Sequence, residues 1–339
     1  MSVEIPAPRP SNWSYLLVVA LAYLVVRIVA AVFFVWVVHS GPGLDSWNRI
    51  ANVWLFPEPT REALLDDFLS RAKEDHKASG RRDVILVAGD SQLYGYYLPA
   101  PKTAAARLQA LVPGASVYNA SRLSGSYSWA YSALKSAIDS GLAPRVLVVN
   151  ANPAIQGTGP IGDKGILSRW FMGSLVAADG TLGLFVEVLR GMGRKGAPPF
   201  DPYDELQVPP GDGSYLVASL GRDYYPAQLP RSVASGLESL LAHSRGKVDL
   251  VVVVASPHHY APYNEAPFRY GWDTRPIVRE SMAICARFAH AACLDLSQAY
   301  GREYFHDVVH LNEKGQRRLA AEIAEAIRSR LGEPGRVSR

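Results

Sequence analysis

Val84-Ile85-Leu86-Val87-Ala88-Gly89-Asp90-Ser91 decides the fold of this chain. A short, fully apolar, β-branched run with no polar alternation reads as a strand buried on both faces, as in a parallel sheet. Gly89-Asp90-Ser91 then falls at its carboxyl end, the edge at which open α/β sheets bind ligands. A serine there becomes a nucleophile once a base reaches it. The tripeptide alone is a weak signal, because chance copies in loops are common. Its meaning depends on what else the chain brings to that edge.

Around this strand the pattern alternates between helix and strand. Residues 64–76 have helical spacing and lead into it. Residues 102–111 read as helix, 116–119 as a short strand, 129–140 as helix with Gly141 as its C-cap, and 145–150 as an apolar strand. An insert at about 157–229, rich in Gly, Pro and aromatic residues, breaks the rhythm, with a helix expected at 182–192. The pattern resumes with helix 232–243, strand 248–255, helix 276–290, strand 292–296 and a closing amphipathic helix at 313–331. The expected body, residues 82–331, is a three-layer α/β/α sandwich with a mostly parallel sheet of about five strands.

Ahead of the body, residues 13–38 are apolar almost throughout. As a helix rising about 1.5 Å per residue they are long enough for a hydrocarbon core of about 30 Å. Trp13, Tyr15 and Trp36 near the ends fit interfacial anchors. The run exceeds the usual apolar region of a cleaved signal peptide, so an uncleaved transmembrane anchor is expected. Residues 1–12 form a short tail before it, residues 39–81 a stalk and linker helix after it, and residues 332–339 a basic tail. Arg9 and Arg49 flank the span in near balance, and the short tail with a large body favours an exported domain. Arg27 lies mid-span, where a charge costs on the order of 2.5–3.5 kcal/mol. Either it snorkels or it meets a polar partner in the membrane.

The charge balance excludes little: 35 basic against 31 acidic residues give a net charge of +4. The local excess at Arg317, Arg318, Arg328, Arg330, Arg336 and Arg339 reads as a solvated helix face and a basic tail. No zinc-finger spacing or recognition helix supports nucleic-acid binding. Cys285 and Cys293 lack zinc-site spacing, and they read either as two buried thiols or, in an exported domain, as a pair.

The catalytic reading needs a base, an orienting acid and oxyanion donors. His310 supplies the base, in the loop 305–312 immediately before the last helix, and Asp307 three residues earlier can hold its imidazole. Two further segments end strands at the same edge: Asn119-Ala120-Ser121-Arg122-Leu123-Ser124-Gly125 and Asn150-Ala151-Asn152-Pro153. Singly, each is ordinary turn chemistry. An asparagine amide and a backbone N–H from these loops, joined by the N–H of Ser91, would form a three-donor oxyanion hole.

These four blocks, in this order, resemble those of the SGNH (GDSL) hydrolase superfamily, whose fold is of the flavodoxin-like kind. Ser121 stands where many members have glycine, Asn150 replaces the glycine of the third block and Pro153 its aspartate. The resemblance implies Ser91 as nucleophile, His310 as base, Asp307 as its orienting acid, and Ser91 N–H, Ser121 N–H and the Asn152 side chain as oxyanion donors. With the anchor, it is similar to the exported branch that modifies cell-envelope glycans beside a membrane-bound O-acyltransferase. The expected setting is a bacterial inner membrane crossed once, with a periplasmic or otherwise extracytoplasmic catalytic domain.

Asp90, Gly125, His258, His259 and Tyr260 are candidate substrate contacts, the last three following a strand at the same edge. Two adjacent histidines seldom face one ion, and no carboxylate cluster accompanies them, so no metal and no other cofactor is expected. Tyr224, Tyr225, Tyr260, Tyr263, Tyr270 and Trp272 read either as sugar-stacking surfaces or as packing beneath long loops. The leading expectation is O-acyl, in particular O-acetyl, transfer to or removal from an envelope or exopolysaccharide glycan, with an acylated glycan or acyl donor as partner. Transferase and esterase share one triad and stay unseparated. The alternatives are a non-catalytic polysaccharide-binding scaffold and a lipolytic esterase.

Overall fold

The computed structural model describes residues 17–23, 25, 58–96, 98, 100–122, 125–151, 229, 231–259, 273–306 and 309–332. Within them the body consists of α1 (Glu58–Ser79), β1 (Asp83–Val87), α2 (Ser91–Tyr94), α3 (Ala104–Leu111), β2 (Ala115–Asn119), α4 (Tyr127–Ser140), β3 (Val146–Ala151), α5 (Arg231–Ser244), β4 (Leu250–Ala255), α6 (Arg275–Ala286), β5 (Ala291–Asp295) and α7 (Glu313–Leu331). The five strands form one parallel sheet in the order β2-β1-β3-β4-β5. The expected layered α/β body is therefore present, with every strand pair parallel.

The strand order explains where the helices lie. From β1 the chain steps one way to β2, then returns past β1 to β3 and continues the other way. Right-handed crossovers put helices on opposite faces when the direction of winding reverses. Accordingly Val84 and Leu86 pack with α1, α4, α5 and α6, whereas Ile85 and Val87 pack with α3 and α7. Alternate side chains of one strand thus belong to two separate cores. The strands are apolar in a continuous run because both faces are covered. Every residue of β4 is buried, and each fully covered valine or leucine there contributes about 1.5–3 kcal/mol.

The ends of the elements follow local chemistry. Ser126 caps α4 by accepting from Trp129 N, and Gly141 closes it in the left-handed region at φ 80°. Thr103 caps α3, which starts at Ala104, two residues after the expected boundary, because a single 3₁₀ turn occupies Ala100–Lys102. Expected to reach residue 290, α6 ends at Ala286. Its Cys285 is disulfide-bonded to Cys293 of β5, with the Cα atoms 6.0 Å apart. A helix continuing past Cys285 would carry the chain away from that partner, so it reverses at once. The pairing of the two cysteines, open in the sequence, is thereby settled in favour of a bond.

The arginines of α7 are solvent-facing but partnered. Arg317 pairs with Glu313, Arg328 with Glu325, Arg318 lies over the rings of Tyr300 and Tyr304, and Arg330 donates to Ala291 O. Of the expected membrane span, residues 17–23 and 25 are described. Residues 17–23 and 25 are helical, with Leu17, Val18, Val19, Leu21 and Val25 exposed. Among the described residues no helix is long and apolar enough to cross a membrane. The remainder of the span, nearly all of the insert at 157–229 and its expected helix at 182–192 lie outside the described residues.

Candidate active site

The winding direction reverses between β1 and β3, so their carboxyl ends flank the crevice where such sheets place ligands. Ser91 begins the turn that leaves β1 at this point. Asp90 caps that turn, its carboxylate accepting from Gln92 N at 2.8 Å, and Gly95 closes it at φ 84°. First-turn N–H groups have no intrahelical acceptor, and that of Ser91 is one of them.

His310 comes from the other end of the chain. A narrow loop carries it, pinned where Phe305 bridges Leu311 and where His306 N donates to His310 O at 2.8 Å. Asn312 then caps α7 by accepting from Gly315 N, while its own amide donates to Glu303 O. The result is a contact across 219 residues of sequence: His310 Nε2 lies 3.0 Å from Ser91 Oγ. His310 is buried and Ser91 half-buried, so the hydroxyl is the member of the pair that a ligand can reach. The ring of Tyr96 stands against His310, with centroids 4.8 Å apart, and closes one side of the imidazole.

The other expected site residues fall into three groups. Ser121 is wholly buried beside the nucleophile turn. Its hydroxyl accepts from Gly89 N at 3.0 Å, and its N–H donates to Asn119 Oδ1 at 3.1 Å. To serve an oxyanion that N–H must share or leave Asn119. Gly125 is present for close approach rather than for a side chain: a β-carbon there would overlap the carbonyl oxygen of Gly89. Asp90 is wholly buried, and its Oδ1 caps the turn by accepting from Gln92 N. His258 is buried with Nδ1 2.8 Å from Ser256 O, and His259 stacks on Phe305 beside the base loop. Asp307, Asn152 and Tyr260 lie outside the described residues, as do Tyr224, Tyr225, Tyr263, Tyr270 and Trp272.

Two amides that sequence reasoning left out hold this edge together. Asn150, read above only as a replaced glycine, is buried at the end of β3. Its Oδ1 accepts from Asp90 N at 2.9 Å and its Nδ2 donates to Ser256 Oγ at 3.1 Å, joining the loops after β1 and β4 through β3. Gly89 leaves the space that this amide fills. Gln92, next to the nucleophile, donates through Nε2 to Pro257 O at 2.8 Å and to Val309 O. The sequence offered one signal for each: an amide where the surrounding pattern is apolar. Beneath the turn lies Tyr127, whose phenol is pushed well above its ordinary range, first by burial and then by the charge of Asp90.

A half-exposed serine bonded to a buried histidine, at the switch point of a parallel sheet, defines the general class: a nucleophile–base pair suited to acyl transfer. No family model and no curated protein matches the chain. Among solved structures it is similar to a member of the lipolytic G-D-S-L family from Veillonella parvula, at 13% identity over 74% of this chain and 100% of that one, TM-score 0.40. It is similar to the acetylxylan esterase Axe2 from Geobacillus stearothermophilus, at 14% identity over 77% and 99%, TM-score 0.36. A family 2 carbohydrate esterase with a carbohydrate-binding domain, from Corynascus thermopiles, gives 14% identity over 74% and 67%, TM-score 0.41. At these identities and scores the likenesses carry no argument of their own, and the chemistry of the site rests on its distances.

Proposed function

We propose that the protein is a serine acyl-enzyme in which Ser91 is the nucleophile and His310 its base, acting on an O-acyl group of a glycan at the cell envelope. The observation that carries the reading is the 3.0 Å contact from His310 Nε2 to Ser91 Oγ. As base, His310 is neutral with its ring proton on Nδ1, the side on which Asp307 is proposed to orient it. Ser91 Oγ attacks the acyl carbonyl and its proton passes to Nε2. The bond to the leaving alcohol breaks, and the alcohol departs with that proton. A sugar hydroxyl or water then gives its proton to Nε2 and takes the acyl group from Ser91, and Nε2 returns that proton to Ser91 Oγ as the bond to the acyl group breaks. Ser91 N–H, Ser121 N–H and Asn152 are the proposed donors to the oxyanion in both halves.

Two features support an exported, tethered setting. The bond between Cys285 and Cys293 suits an oxidising compartment, and the apolar run at 13–38 suits a single anchor in the inner membrane. The acceptor separates transferase from esterase, and a membrane-bound O-acyltransferase is the proposed supplier of acyl groups.

A fluorophosphonate probe tests the central claim. Labelling is expected on Ser91 in the wild type and absent in Ser91→Ala, and an unlabelled wild type that releases no acyl group from an activated acetyl ester would refute it. The same ester assayed with and without polysaccharide separates the two reactions, because a transferase leaves acylated glycan and an esterase free acid. Thiol titration of protein purified from the envelope, before and after reduction, reports the disulfide.

A further inference from the structure

Ser91 and His310 belong to opposite ends of the chain, and something must fix the distance between them. From the bonds around Gln92 we infer that this residue is a positioning residue that holds His310 in register with Ser91, an inference that rests on the acyl-enzyme reading above.

Gln92 is 1% exposed and peptide-bonded to the nucleophile. Its single amide nitrogen spends both protons on main-chain carbonyls of two different loops, Pro257 O after β4 and Val309 O in the base loop. The carbonyl of Val309 is half of the planar peptide unit that contains the nitrogen of His310. Fixing that carbonyl therefore fixes the plane from which the imidazole springs. The bonds close into a ring: Ser91 Oγ to His310 Nε2, along the main chain to Val309 O, across to Gln92 Nε2, and back through the Gln92 main chain to Ser91.

Gln92 is itself held at both ends. Its N–H donates to Asp90 Oδ1 at 2.8 Å, and its carbonyl accepts from Gln316 Nε2 at 2.7 Å. Gln316 is 1% exposed and has its Oε1 bonded to Ala104 N at 2.7 Å, so the nucleophile turn is clamped onto α3 and α7. The ordering of these side chains is complete before any ligand arrives. One atom shows what the residue is for. Gln92 Oε1 is buried without a hydrogen-bond partner among the described residues, a penalty that leucine or methionine at this position would avoid. The two donors outweigh the stranded oxygen.

The test is a double-mutant cycle of Gln92→Met, which keeps the length and removes the donors, with His310→Ala. The readouts are the rate of fluorophosphonate labelling and the kcat and KM of an activated acetyl ester, below the lowest melting temperature of the set. Gln92→Met is expected to slow labelling and kcat by about 10²-fold, the scale of a 1 Å misplacement, with KM little changed. In the His310→Ala background it is expected to change nothing further, because no base remains to be positioned. Gln316→Met, which releases only the Gln92 carbonyl, is expected to slow labelling less and in the same His310-dependent way, and it carries the cycle if Gln92→Met does not fold. Equal slowing with and without His310, or no slowing in a folded variant, would overturn the inference and leave the acyl-enzyme intact. A wild type that the probe does not label and that releases no acyl group from the activated ester would overturn both.

Discussion

Among the described residues three serine–histidine contacts are 3.0 Å long, that of Ser91 at the carboxyl edge of the sheet and those of Ser116 and Ser244 near its amino edge. Ser91 Oγ lies 3.0 Å from His310 Nε2 at the carboxyl edge, and Ser116 Oγ lies 3.0 Å from His76 Nδ1 at the amino edge. Distance does not separate them; surroundings do. Ser116 is 1% exposed inside β2, and its hydroxyl also meets Ser79 at 3.3 Å. No substrate carbonyl can reach it. Ser91 stands on a turn beyond the end of β1, half open, with uncharged buried amides behind it. The rest of the amino edge is held by charged pairs, Arg145 with Asp83 and Asp249, and by Tyr118 donating to Asp75. Such pairs tolerate small shifts and are screened by water, whereas two-pronged amide bonds to main-chain atoms do not. A nucleophile is thus defined less by its histidine than by access and by the stiffness of what stands behind it.

The sharpest way to break this comparison is to remove each serine in turn. Ser91→Ala is expected to lower kcat on an activated ester by on the order of 10⁴–10⁶-fold and to abolish probe labelling. Ser116→Ala is expected to leave both unchanged and to cost about 1 kcal/mol in denaturant unfolding. Loss of labelling in Ser116→Ala with a wild-type melting curve would erase the distinction.

The contrast between amides and charges predicts a second asymmetry. Asn150→Leu strands Asp90 N–H and Ser256 Oγ in the interior, so a loss of about 1–3 kcal/mol of stability and a slower acylation step are expected. Arg145→Met removes a partly exposed arginine from two ion pairs and is expected to cost about 0–1 kcal/mol, with acylation unaffected. Urea titrations paired with single-turnover labelling check both.

Close packing at the carboxyl edge gives a third test. Gly125→Ala pushes a methyl group into the Gly89 carbonyl, and a destabilisation of about 1–3 kcal/mol is expected by calorimetry. The smallest effect belongs to the amino edge and to pH. His290, bonded to Ser244, and His243 are both held below the ordinary histidine value of 6.5, chiefly by burial and for His243 also by Lys247 and Lys135. Below 6.5 the unfolded chain takes up protons that the folded chain does not. Stability is expected to be full above that pH and to fall as the solution is acidified through it. His290→Asn is expected to flatten that decline in a series of thermal melts.

Much of this was legible in the chain. The β-branched runs gave β1, β3 and β4 within two residues, because strands covered on both faces have no polar alternation to confuse them, and the edge strands β2 and β5 followed within one residue from the alternation of helix and strand. Gly141 marked the end of α4 through its own chemistry. The contact between Ser91 and His310 was legible because nucleophile and base each sat beside an element boundary. The roles of Asn150 and Gln92 were not, since an amide in an apolar setting signals burial but does not say which distant groups it bonds. The early end of α6 was hidden because the chain turns back there to bring Cys293 beside Cys285, a pairing that helical spacing does not reveal.

The span of 219 residues between nucleophile and base has a consequence in time. Chains are made from the amino terminus, and the serine turn emerges with its strand long before the histidine loop exists. Until α7 docks, the seryl hydroxyl has no base and the chain is chemically silent. Activity therefore reports completion: a chain interrupted between β5 and His310 holds all five strands of its sheet and still has no base beside Ser91.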